Sequence, residues 1–255
     1  MKVIAIIPAR MDSTRFPGKP MAKIHGIPMI GHCYYRTRLC SDLIKTYVAT
    51  CDKEIYDYIK SIGGDVIMTL DTHERATDRT AEAMIKVEQQ LDFKVDIVVM
   101  VQGDEPMVTP EMISESIAPF FSDNNINVVN LMAKIDNFDE FEDPNEVKVV
   151  VDKFDNAVYY SREPIPSRKK YTKDISKFKQ VAIIPFKRDY LLKFNNTPET
   201  YLEKIESIDM LRIIESGDKV KMVLTKEDTL SVDTKEELSR VEDKMNDDFL
   251  MKKYM

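Results

Sequence analysis

Apolar residues fall along this chain in short unbroken runs, separated by longer stretches in which apolar and polar positions mix. Val3-Ile4-Ala5-Ile6-Ile7 carries no polar side chain, the pattern of a strand covered on both faces, and Pro8 ends it. The same reading predicts strands at 47–50, 66–69 and 96–101, and helices over 29–43, 53–62 and from about Thr77 to Leu91. Ile30, Cys33, Tyr34, Thr37 and Arg38 mark the first helix. Gly63-Gly64 stops the second, and Thr77 is read as the N-cap of the third, with Ala81, Met84, Ile85 and Val87 as its inner face. Strand and helix alternating at these lengths predict right-handed parallel crossovers and an α/β sheet.

The second half changes style. Strands are predicted at 127–134, 146–151, 157–161, 179–186 and 219–224, with Asp155-Asn156 as a turn. Helices are predicted at 188–194, at 203–215 before Gly217, and at 235–249 with Leu238 and Val241 facing in. The last five residues read as frayed. With no repeat or linker, the chain reads as one domain over 1–255, with an inserted β arm at about 143–178.

Composition narrows the function classes. The 255 residues carry 37 basic and 44 acidic side chains, a net charge of −7 that argues against a general nucleic-acid binder. No 18-residue apolar run occurs, and Arg10 and Asp12 interrupt the N-terminal apolar segment, so neither a membrane span nor a signal peptide is predicted. Cys33, Cys40 and Cys51 are odd in number and lack a CxxC, which fits reduced thiols in a cytoplasmic protein. Only three histidines are available for acid–base work.

The first loop holds the densest chemistry. Arg10, Arg15 and Lys19, with Ser13 and Thr14 between them, follow the first strand and would suit a polyphosphate; the bland alternative is a solvated basic loop. Neither GxGxxG nor GxxxxGK occurs, so side chains would carry more of the phosphate binding than bare amides. Asp104 follows the 96–101 strand in Gln102-Gly103-Asp104-Glu105-Pro106, and Asp233 stands before the last long helix. Two carboxylates beside a cationic phosphate loop suggest a Mg²⁺ site. Asp233 could instead be a helix N-cap, and Asp104 a turn acid.

Ile7-Pro-Ala-Arg-Met-Asp-Ser-Thr-Arg-Phe-Pro-Gly-Lys-Pro20, Val101-Gln-Gly-Asp-Glu-Pro106, Asp143-Pro-Asn-Glu-Val-Lys-Val-Val150, Tyr160-Ser-Arg-Glu-Pro-Ile-Pro166 and Val232-Asp-Thr234 together resemble the CMP-Kdo synthetases, the 3-deoxy-manno-octulosonate cytidylyltransferases, essentially end to end. The resemblance implies an α/β Rossmann-like (GT-A-like) nucleotidyltransferase fold, a mixed sheet flanked by helices, with a β arm for dimerisation. It implies a cytoplasmic Mg²⁺-dependent homodimer that joins CMP from CTP to the anomeric hydroxyl of a sugar acid. Pyrophosphate would be released, and the product would serve lipopolysaccharide or capsule synthesis. Arg10, Ser13, Arg15 and Lys19 would hold the triphosphate, and Pro8, Ala9 and Arg79 would complete the nucleotide site. Asp104 and Asp233 would ligate magnesium. Arg75, Gln102, Arg162, Gln180 and Asp209 would line the acceptor site, and the arm around Asn145 to Pro166 would form the dimer contact.

Some positions depart from the family pattern. Ser-Gly of the family's His-x-Ser-Gly-Thr loop is Arg75-Ala76, and a segment with His, Gly and Tyr is Lys179-Gln180-Val181-Ala182-Ile183-Ile184. The Leu-Glu-Gln-Leu-Arg segment is Ile208-Asp209-Met210-Leu211-Arg212. Cytidylyl transfer with a reshaped acceptor pocket is the expected consequence, favouring a Kdo relative over Kdo itself. The alternatives are a nucleotidyltransferase for a phosphate or phosphonate, with Arg75 as the added anion partner, and a non-catalytic nucleotide sensor.

Overall fold

A computed structural model describes residues 1–13, 15–169 and 175–255. Thr14 and residues 170–174, which fall in the predicted arm, lie outside the described residues. In chain order the elements are β1 (Val3–Pro8), β2 (Lys23–Ile24), β3 (Ile27–Pro28), α1 (Met29–Arg38), β4 (Lys45–Thr50), α2 (Lys53–Ser61) and β5 (Val66–Met68). Next come α3 (Ala76–Glu88), β6 (Ile97–Val101), α4 (Pro110–Ser122), β7 (Val129–Lys134), α5 (Phe138–Glu142), β8 (Lys148–Val151) and β9 (Ala157–Ser161). The chain closes with β10 (Phe178–Val181), β11 (Ile183–Lys187), α6 (Arg188–Asn195), α7 (Tyr201–Glu206), α8 (Met210–Glu215), β12 (Lys221–Leu224) and α9 (Lys235–Lys244).

Two five-stranded sheets form the body, ordered β11-β6-β1-β4-β5 and β12-β7-β10-β8-β9. In the first, β6, β1, β4 and β5 are parallel and β11 is an antiparallel edge. Its central strand is apolar throughout because both faces are covered. Val3, Ala5 and Ile7 pack with α1, α2 and α4, while Ile4 and Ile6 pack with α3 and the α6–α8 side. β1 and β6 are neighbours running the same way, so their carboxyl ends deliver residues 9–19 and 102–106 to one place. Gly103 makes this approach possible: a Cβ there would lie 2.9 Å from the Pro8 carbonyl oxygen.

Several predicted elements divide or shift. The apolar run 179–186 is two strands in different sheets, switching at Ala182, whose carbonyl accepts from Gln102 N at 3.0 Å. The helix read over 203–215 is α7 and α8, separated by Ser207 at φ 55°. Thr77 is not the N-cap of α3. That place belongs to Arg75, and the Thr77 hydroxyl donates to Asp209 Oδ2 at 2.9 Å. Ile85, assigned to the inner face, is exposed because that face is carried by Ala81, Met84 and Val87. The α1 and α9 helices end earlier than predicted. The last residues are docked rather than frayed: Tyr254 bonds His32 Nδ1 at 2.9 Å and stacks on Tyr35. Cys33, Cys40 and Cys51 are free thiols, and among the described residues no helix is long and apolar enough to cross a membrane.

Candidate active site

Two adjoining clefts open at the carboxyl ends of β1 and β6. The first, about 340 Å³, is lined by Pro8, Ala9, Arg10, Ser13, Arg15, Lys19 and Arg79 together with Asp104 and Asp233. The second, about 380 Å³, adds Arg162, Gln180 and Asp209, and shares Arg10, Arg15, Arg75, Gln102, Asp104 and Asp233 with the first. Of the sequence-read positions, Pro8, Ala9, Ser13, Lys19 and Arg79 line the first cleft alone and Arg162, Gln180 and Asp209 the second alone, while Arg10, Arg15, Arg75 and Gln102 line both, with the two aspartates at their junction.

Lys19 sits in a short 3₁₀ turn entered through Gly18 at φ 75°, which aims its stem inward. Its ammonium lies 2.8 Å from Asp104 Oδ2 and 2.9 Å from Asp233 Oδ1, with the side chain only 11% exposed. Burial alone would lower the Lys19 pKa; the charges of Asp104 and Asp233 outweigh it and hold the ammonium above its ordinary value. Arg15 pairs with Asp233 Oδ2 at 2.9 Å and donates to Asn145 Oδ1, which joins the first loop to the segment before β8. Arg10 is exposed over the same cleft.

The capping alternative for Asp233 does not hold. Thr234 is the N-cap of α9, with a reciprocal capping box to Glu237, so the Asp233 carboxylate is free to face Lys19. The Asp104 carboxylate likewise bonds Lys19, while its backbone oxygen accepts from Val232 N at 3.0 Å and ties the two acidic loops together. Two carboxylates from distant segments reaching one ammonium are close enough to share one cation. Two carboxylates alone would suit a metal whose remaining ligands are phosphate oxygens and water, and among the described residues no cluster of three or more His, Cys, Asp or Glu occurs.

Glu105, which sequence reading passed over, is buried behind Asp104. It accepts from Ala182 N at 3.1 Å and from the Thr229 hydroxyl at 3.1 Å, fixing the strand switch and the Asp233 segment against the Asp104 turn. Burial, with the Asp104 charge second, raises its carboxyl to about 7. A raised carboxyl holds its proton in the fold, so its stabilising contribution is full below the ordinary glutamate pKa and is lost as pH rises through the raised one. Glu105→Gln keeps an acceptor for Ala182 and removes the titration. Wild-type Tm should therefore fall more than the variant's between about pH 5 and pH 8, and parallel curves would refute this assignment.

In the second cleft, Arg162 is held by the Glu206 carbonyl at 2.9 Å and the Pro144 carbonyl at 3.0 Å. Gln180 donates to Asn130 Oδ1 at 2.7 Å, which also receives the Tyr160 hydroxyl at 3.3 Å. Arg75 pairs with Glu199 at 3.2 Å and Asp209 at 3.5 Å, and donates to Ser207. Burial raises the Asp209 carboxyl, opposed by Arg75 and by the Thr77 hydroxyl. With carboxylates already on it, Arg75 is a matched cation tying α3 to the α7–α8 break, which weakens its reading as an added anion partner. Arg79 is buried and braces the intervening loop, donating to Thr69 Oγ1 and to the Leu70 carbonyl. Asn145 and Glu146, which also line the cleft, carry no signal beyond their place in the Asp143–Val150 motif.

The family profile described as Cytidylyltransferase matches residues 4–227. A 3-deoxy-manno-octulosonate cytidylyltransferase of Geobacter metallireducens is 39% identical over 256 residues, spanning 96% of this chain and 98% of the relative. The chain belongs to that family. The cytidylyltransferase of the same description from Fusobacterium nucleatum is 40% identical over 241 residues, covering 94% of this chain and 96% of its own length. Among solved structures, CMP:2-keto-3-deoxy-manno-octonic acid synthetase complexed with CTP superposes with a TM-score of 0.86 at 34% identity, over 96% of this chain and 98% of the other. A cytidylyltransferase from Leptospira borgpetersenii, 16% identical with a TM-score of 0.64 over 96% of this chain and 87% of its own, shares the fold.

Proposed function

We propose that this cytidylyltransferase transfers CMP from CTP to the anomeric hydroxyl of 3-deoxy-manno-octulosonate or a closely related ulosonic acid, releasing pyrophosphate. The observation that carries this is the meeting of Arg15, Lys19, Asp104 and Asp233 at the junction of the two clefts. Likeness to a synthetase structure complexed with CTP supports the nucleotide.

The chemistry follows from the placement. The acceptor hydroxyl gives its proton to solvent and its oxygen bonds to the α-phosphorus as the bond from that phosphorus to the β-bridging oxygen breaks, and the electron pair leaves on pyrophosphate. Arg10, Arg15 and Lys19 neutralise the phosphates, and Arg162 supplies a cation for the acceptor carboxylate. Asp104 and Asp233 are the residues that would hold magnesium, which when bound supplies charge neutralisation at the phosphates. No covalent nucleophile is needed. The nearby Cys33 thiol is buried and pushed well above its ordinary pKa by burial and by the Asp104 and Glu105 charges. The hairpin of β8 and β9, which exposes Phe154 and Val158, is the surface we assign to homodimer contact, and the cytoplasm is the compartment that fits its CTP.

Pyrophosphate release from CTP tests this reading, with Kdo, other 3-deoxy-ulosonic acids, a sugar phosphate and a phosphonate as acceptors. Release should require a 3-deoxy-ulosonic acid. The faster substrate among those acids shows whether Gln180, Ile184 and Met210 moved the preference away from Kdo. Release with the phosphate alone would overturn the proposal.

A further inference from the structure

Resting on the reading of Asp104 and Asp233 as metal-holding carboxylates, we propose that Lys19 is a displaceable counterion that couples metal binding to triphosphate binding. Its ammonium bridges Asp104 Oδ2 and Asp233 Oδ1 at 2.8 and 2.9 Å. A dication shared by the same oxygens would come within a few ångströms of that ammonium, and the two like charges compete for one place. Arg15 reinforces the lock by holding the second oxygen of Asp233.

The geometry also shows how the lock opens. The Lys19 main chain is fixed, donating to the Phe16 carbonyl at 3.1 Å while its own carbonyl receives Ala22 N at 3.0 Å. Only the stem has to move, and lysine has a flexible stem with a compact charge at its end. The cleft that Lys19 lines also carries Arg10 and Arg15, so a triphosphate drawn there offers Lys19 a new anionic partner. Turning toward it bares both carboxylates. Metal and nucleotide therefore strengthen each other, and by linkage the effect is reciprocal. Without a triphosphate, the protein resists idle occupation of its carboxylates by metal.

Mn²⁺ titration of the nucleotide-free protein, read by electron paramagnetic resonance of the unbound ion, tests this. Lys19→Met should bind Mn²⁺ at least tenfold more tightly than wild type. Lys19→Gln, which keeps a donor but no charge, should also tighten it. Arg10→Met removes the same charge from the same cleft without unlocking the carboxylates, and should change Mn²⁺ affinity by less than threefold. Adding Asp104→Asn to Lys19→Met should abolish the gain. If neither Lys19 variant binds more tightly, or Arg10→Met matches them, the counterion role is refuted while the metal assignment stands. If Lys19→Met binds Mn²⁺ tightly and Asp104→Asn leaves that binding intact, the metal assignment itself fails, and the counterion role with it.

Discussion

Asp104→Asn and Asp233→Asn should each lower kcat/KM by roughly a thousandfold, about 4 kcal/mol of transition-state stabilisation, with little change in Tm. Each carboxylate points into the junction of the two clefts, and each contributes one oxygen to the Lys19 ammonium. An amide of the same shape keeps the packing but removes the charge that would hold a cation against the phosphates. The fold should tolerate the change because neither side chain caps a helix; the α9 cap is Thr234 with Glu237. Steady-state pyrophosphate release and thermal melts on the same preparations check both halves. An active Asp233→Asn with a lowered Tm would restore the capping role that the structure assigns to Thr234.

Lys148→Met should lower Tm by roughly 10 °C and raise KM for the acceptor more than for CTP. Lys148 is fully buried, and its ammonium donates to the carbonyls of Asp143 and Glu146 at 2.7 Å and of Arg162 at 2.5 Å. Burial lowers its pKa, opposed by the charges of Asp143, Glu146 and Glu163, and the three carbonyls take its hydrogens. Methionine fills much the same volume but leaves the carbonyls without a donor, at about 1–3 kcal/mol for each buried group. In a chain of this size each kcal/mol moves Tm by roughly 2–4 °C. The same carbonyls fix the backbone around Asn145, Glu146 and Arg162, which line the second cleft. An unchanged Tm would mean that those carbonyls find other donors.

The first sheet and the cationic loop at its carboxyl edge were legible because their signals are local. A strand buried on both faces needs an unbroken apolar run, and the charged loop follows it directly. Asp104 and Asp233 are 129 positions apart with no periodicity to join them, so their pairing was read only from two lone acids and a cationic loop, and from the resemblance; the fold brings both to Lys19. Other features were hidden because local pattern and tertiary context pull apart. Residues 179–186 read as one strand, yet a single residue, Ala182, passes the chain between two sheets. The stretch 203–215 reads as one helix, yet Ser207 breaks it and turns Asp209 toward Thr77 and Arg75. Helix α4 went unread, although Thr109 caps it and Pro110 opens it. Glu105 and Lys148 gave no signal, because burying a charge becomes informative only when its partners are visible.

The most direct measurement of the central claim is the fate of label from CTP in the presence of a 3-deoxy-ulosonic acid. With CTP labelled at the α-phosphorus, the label should appear in a CMP–sugar acid, matched one to one by pyrophosphate. With CTP labelled at the γ-phosphorus, all of it should appear in pyrophosphate. Label from the γ-phosphorus on the acceptor would contradict attack at the α-phosphorus, and α-label released only as free CMP would contradict transfer to the acceptor; either result would overturn the assignment of Arg15, Lys19, Asp104 and Asp233.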